Sequence, residues 1–137
     1  MATWEPGGLD RPFTLLEETF LATVAVPRPP FLDVWRNVDH DGTPWIIVFL
    51  DFSCDGSIRD TLRLDFDGAT AKGGWSHQFM NGDAYDRADE AGVDYRAPDG
   101  LLIAIDHEVQ GAAAHVRSWF EQHYRTWSNG DRPRRWM

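Results

Sequence analysis

The chain has 137 residues, 42% of them hydrophobic and 26% charged, the proportions of one ordinary globular domain rather than of a disordered chain. Its formal net charge is −9, which disfavours nucleic acid as a partner, because phosphate neutralisation needs a basic face. A basic protein partner fits these numbers on electrostatic grounds, and self-association is compatible with them.

No apolar run approaches the ~20 residues that span a bilayer, so no membrane association is expected. The first residues lack a basic, apolar leader, and the reading expects no secretion signal. A single cysteine, Cys54, rules out an internal disulfide and suits a reducing cytoplasm. From Arg125 onward four arginines face one aspartate, so the acidic excess lies in the first 124 residues.

Residues 1–12 hold Pro6, Gly7, Gly8 and Pro12 and read as a loose lead-in. Thr14 and Glu17 have the spacing of a capping box, and Phe13, Leu16, Phe20 and Val24 share one side of a helix that follows it. The β-branched residues between Thr19 and Val26 keep a strand open as the alternative. Pro27, Pro29 and Pro30 end either element. In residues 31–38, Leu32, Val34 and Val38 alternate with polar or amphipathic neighbours, the period of a strand. The sequence Asp39-His40-Asp41-Gly42 is a turn.

The run from Trp45 to Phe52 is the longest apolar stretch, and Ile46 to Leu50 is apolar on both faces. A central strand covered on each side is expected. It turns through Asp55-Gly56 into Ile58 to Phe66, where Ile58, Leu62, Leu64 and Phe66 point in and Arg59, Thr61, Arg63 and Asp65 point to solvent. Gly73 to Met80 is a fourth strand, with Trp75, His77 and Phe79 on one side. Residues 81–100 carry six carboxylates against two arginines and read as an exposed loop with a helical turn near 85–91, either a binding loop or a plain insertion.

Leu101 to Ile105 is a short buried strand. The clearest helix runs from about Glu108 to Trp127, with Val109, Ala112, Ala113, Val116, Trp119, Phe120, His123, Tyr124 and Trp127 on one arc. Residues 128–137 form a frayed basic tail. The expected fold is therefore α+β: a single domain whose antiparallel meander of about four to five strands carries an N-terminal helix and a long amphipathic C-terminal helix. The cover for the second face of the Ile46–Leu50 strand is left open between the N-terminal helix, the 81–100 loop and a partner.

Two histidines lie beside carboxylates, His40 in its Asp-Gly turn and His107 between Asp106 and Glu108. Such neighbours can raise or orient an imidazole base, but a turn and a helix cap account for both clusters. His115 and His123 are too far apart on a helix to share a metal, and His123 reads as a hydrogen-bonded core residue. Asp55 beside Cys54 works against a reactive thiolate. No motif for a phosphate loop, zinc site or nucleophile elbow is present, so neither metal nor cofactor is expected.

Two readings compete. The first is an interaction module that binds a basic partner through Asp39, Asp41, Asp83, Asp86, Asp89 and Glu90 with Trp75 as an aromatic anchor. Bacterial immunity and inhibitor proteins have an outline of this kind, a comparison of type that no motif carries. The second is a small-molecule binder or enzyme with a pocket between curved sheet and helices. His77, Asp106 and His107 would be its acid–base groups, and Arg36, Arg59 or Arg63 would pair with an acidic ligand. The seven tryptophans suit either reading, and the first is preferred.

Overall fold

The structure, a computed structural model, describes residues 7–24, 32–54, 57–76, 86–105 and 108–128. It is an α+β fold built on one six-stranded sheet in the order β1-β2-β3-β4-β5-β6. The strands are β1 (Gly7–Gly8), β2 (Asp33–Val38), β3 (Pro44–Cys54), β4 (Ser57–Phe66), β5 (Thr70–Ser76) and β6 (Leu101–Ala104). β2 to β6 form an antiparallel meander, and β1 runs parallel to β2. Helices α1 (Leu15–Val24) and α3 (Val109–Ser128) pack on one face, and the short α2 (Ala88–Ala91) lies against β5. No helix among the described residues is long and apolar enough to cross a membrane.

The capping box forms as expected. Glu17 N–H donates to Thr14 Oγ1 at 3.1 Å, and Thr14 N–H donates to Glu17 Oε1 at 2.9 Å. The buried arc of α1 differs from the expected one, because Leu16 is exposed and Glu17 and Leu21 are buried beside Phe20 and Val24. Arg11 causes this difference. It holds the Glu17 carboxylate with two 2.8 Å bonds while donating to the carbonyls of Asn37 and Trp45. Residues 7–11, expected in a loose lead-in, are thereby tied to the sheet, and Leu9 N–H donates to Arg36 O at 2.9 Å. Val38, expected to point inward, is exposed, and Asn37 is buried in its place.

β3 is central and apolar on both faces. Ile46, Val48, Leu50 and Phe52 face the helices, while Trp45, Ile47 and Phe49 form a second cluster on the far face with Trp35. The helix-side core joins Phe20, stacked on Phe66 at 3.9 Å, to Leu62, Leu64, Val116, Trp119 and Phe120. Each large side chain buried this way contributes ~1.5–3 kcal/mol. The predicted arc of α3 faces the helix-side core, and of the residues expected outside it Gln110, Ala114, Ser118, Gln122 and Arg125 are exposed while Glu121 is half-buried.

β4 corrects the expectation most. Thr61, Arg63 and Asp65 do point away from the helices, but none reaches solvent: Arg63 is 0% exposed and Asp65 4%. Residues 86–100 lie over Arg63 and Asp65 as a lid on the far face and are not a free loop. Ala88 and Val93 of this segment are themselves buried. β5 also starts earlier than expected, and its glycine pair lies mid-strand because both faces are crowded. A Cβ on Gly73 would sit 2.7 Å from the Trp119 ring, and one on Gly74 would sit 2.5 Å from Asp94 O. The Asp55-Gly56 turn, the His77–Met80 end of the expected strand and the 129–137 tail lie outside the described residues.

Candidate functional site: an acidic cleft on the far face

Where 86–100 crosses the sheet it closes a cleft of about 260 Å³ lined by Asp65, Asp67, Thr70, Lys72, Arg87, Ala88, Asp89 and Glu90. Its floor is a buried ion pair. Arg63 Nε donates to Asp65 Oδ1 at 2.7 Å and Nη2 to Oδ2 at 3.1 Å. The two side chains share a face because they are two apart on a strand. The pair also grips α2 from below: Arg63 donates to Asp86 O, and Ala88 N–H donates to Asp65 Oδ2 at 2.8 Å. Burial pushes the Asp65 pKa up, while the Arg63 guanidinium and the Ala88 N–H pull against it.

Arg87 closes the site from above. It makes bidentate contact with Asp39 in the β2–β3 turn and donates to Asp67 in the β4–β5 turn at 2.9 Å. Its guanidinium lies 4.8 Å from the Trp45 ring centroid, a cation–π contact. Burial disfavours the charge on Arg87, but its hydrogen bonds to Asp39 and Asp67 outweigh that, and its pKa rises. Asp67 is opposed by burial too; the N–H groups of Thr70 and Ala69 and the Arg87 guanidinium overcome it and lower its pKa. Asp89 is held below the usual range, first by the Tyr95 hydroxyl and then, against slight desolvation, by Lys72, whose Nζ stands 3.5 Å away.

The interaction residues expected from sequence divide as follows. Asp86, Asp89 and Glu90 are exposed on α2 and its lead-in, and Asp41 is exposed on the turn that Arg87 ties to them. Asp41 accepts from Thr43 N–H at 3.0 Å, which lowers its pKa. Asp39 is half-buried and engaged by Arg87. Trp75 is a core residue, 4% exposed, and donates from Nε1 to Asp99 Oδ2 at 2.9 Å, so it offers no surface anchor. Asp83 lies outside the described residues, as do His77, Asp106 and His107 of the alternative reading.

Neither Arg36 nor Arg63 is placed for an acidic ligand. Arg63 is spent on Asp65 and Asp86, and Arg36 donates to Arg11 O and lies over the Phe13 ring; the Arg59 side chain lies outside the described residues. His40 and His115 are exposed. His123 is a core histidine as expected, with Nε2 3.1 Å from Asp99 O and its ring edge-on to Trp75 and Trp119. Among the described residues no group of three or more His, Cys, Asp or Glu is placed to hold a metal.

Sequence reasoning missed Arg87, Asp67 and Asp99 and put Arg63 and Asp65 on the wrong side of the water line. One signal was available. An arginine and an aspartate two apart on a strand, opposite a glycine pair, describe a face over which backbone passes closely. The chain matches no family model, no curated protein and no solved structure.

Proposed function

We propose that this protein is a small acidic interaction module whose partner is a basic protein, in the manner of an immunity or inhibitor protein working in a reducing cytoplasm. The observation that carries the reading is the pre-organised acidic rim of the far-face cleft. Among the described residues six carboxylates (Asp39, Asp41, Asp67, Asp86, Asp89 and Glu90) gather there around Lys72 and Arg87, with Arg96 near enough to act on Asp89. Arg87 binds three separate segments into one surface, and the Arg63–Asp65 pair fixes α2 beneath it. A rim held in place loses little freedom on binding, and its field speeds the encounter with a basic protein. Among the described residues the helix-side interior is packed with stacked aromatic and aliphatic side chains, and nothing among them favours the alternative of a pocket between helices and sheet.

The test is the triple reversal Asp86→Lys, Asp89→Lys, Glu90→Lys in the full chain, used as bait in a lysate of its native host. Wild-type bait is expected to recover a basic protein, with recovery falling steeply between low and physiological salt. The reversed bait should recover at least about tenfold less, equivalent to 1.4 kcal/mol. Equal recovery by both baits, or recovery indifferent to salt, sinks the reading.

A further inference from the structure

A second acidic feature lies on the same face, toward the opposite end of the strands, and among the described residues no arginine or lysine pairs with its carboxylates. The register sets Asp51 opposite Thr61 and Thr61 opposite Ser76, so three polar residues form one row across β3, β4 and β5. Asp33, opposite Phe49, stands diagonally from Asp51 on that face, within reach of its side chain. Thr61 Oγ1 donates to Asp51 Oδ1 at 2.7 Å. Burial and then the charge of Asp51 raise the pKa of Asp33. Exposure falls along the row, from exposed Asp33 through half-buried Asp51 to Thr61 at 0% and Ser76 at 2%.

Two observations separate this row from the α2 rim. First, among the described residues neither Asp33 nor Asp51 meets an arginine or lysine, whereas the rim carries its own cations. Second, Ser76 Oγ is buried and has no hydrogen-bond partner, although the register places it directly beside Thr61. A buried hydroxyl left unpaired costs about 1–3 kcal/mol, and two like charges left uncompensated add to that. Both deficits vanish together if a group that is cationic and rich in N–H donors occupies the row.

We propose that the Asp33–Asp51–Thr61–Ser76 row is a binding site for a guanidinium or ammonium side chain of the basic partner. The proposal deepens the function above and rests on the partner being basic. The two carboxylates supply the counter-charge, and the Ser76 and Thr61 hydroxyls accept N–H donors. A divalent cation is the poorer match, since it needs six or more oxygen ligands with strong carboxylate character and the row has two carboxylates.

The experiment titrates the isotope-labelled full chain with acetyl-Gly-Arg-Gly-amide and follows backbone amide shifts by NMR. Saturable shifts centred on Asp33, Asp51, Thr61 and Ser76 are expected. Asp51→Asn should weaken the peptide about tenfold and Ser76→Ala about threefold. Ser76→Ala should leave Tm unchanged or higher, because it removes an unpaired buried hydroxyl, and this guards against a trivial folding defect. Three results would each overturn the proposal: no shifts or shifts spread evenly over all surface carboxylates, Ser76→Ala binding like wild type, or calcium chloride reproducing the same shifts at lower concentration than the peptide. The triple-reversed rim variant keeps its peptide titration if the row acts as described. Failure of the row therefore shows in the titration, and failure of the rim shows in partner capture.

Discussion

At the scale of single residues, the far face is decided by one buried charge pair. Arg63 is fully buried, and it donates to the Asp65 carboxylate and the Asp86 carbonyl, which come from different segments. Removing one member of such a pair strands the other charge, whereas replacing both with apolar groups removes the desolvation cost as well. Arg63→Met should therefore destabilise the fold by about 3–5 kcal/mol in urea unfolding. Arg63→Met with Asp65→Leu should recover most of that loss and still free α2, seen as faster amide exchange at Ala88. A double variant no more stable than the single would show that the pair is worth its burial. The expectation of a half-solvated β4 failed here because alternation reports which side of a sheet a residue faces. It does not report whether that side is wet.

Among the elements, β5 and the segment 86–100 define each other. β5 pairs with β6 only from Thr70 to Gly73, and beyond that Asp94 N–H donates to Trp75 O, so the segment takes over the edge that β6 leaves. Gly74 makes the approach possible: an added Cβ would stand 2.5 Å from Asp94 O and 2.6 Å from its carbonyl carbon. Gly74→Ala should cost about 1–3 kcal/mol as the backbone at 94–95 gives way. Limited proteolysis should then cut within 86–100 while the α1–α3 face stays protected. An unchanged digestion pattern would mean that the segment is held without this contact. Sequence alone read the two glycines as the start of the strand, because a glycine required by a neighbouring backbone looks the same as one in a flexible turn.

For the whole molecule, Asp99 links the parts. Its carboxylate accepts from Trp75 of the sheet, and its carbonyl accepts from Trp119 and stands 3.1 Å from His123 Nε2, both on α3. Burial among these rings lowers the His123 pKa below 6.5. The unfolded chain therefore takes up its proton first as pH falls, so stability is fully present above about pH 6.5 and declines below it. Unfolding midpoints measured from pH 7.5 to 5 should fall for the wild type and fall less for His123→Gln. Because Asp65 has a raised pKa and an opposite slope, the difference between the two proteins is the quantity to read. Parallel curves would show that His123 does not titrate across this range.

The sequence by itself determined the α+β class, the central doubly apolar β3, the capping box of α1 and the apolar arc of α3. Each of these is written in local periodicity or a short spacing, and each concerns only which residues lie side by side along one element. What covers the far face was a different matter. Arg87 lies 48 residues from Asp39 and 20 from Asp67, and no local pattern connects them. Charge pairing acts through space, so a run of acids with two arginines reads as solvated loop until folding brings the turns together. The tertiary structure decided that residues 86–100 are a lid, that Trp75 is core, and that Asp33 and Asp51 stand on the far face with no described arginine or lysine against them. The physical reason is the same in each case: burial and desolvation depend on what comes to lie above a side chain, and the residues that lie above these come from other parts of the chain.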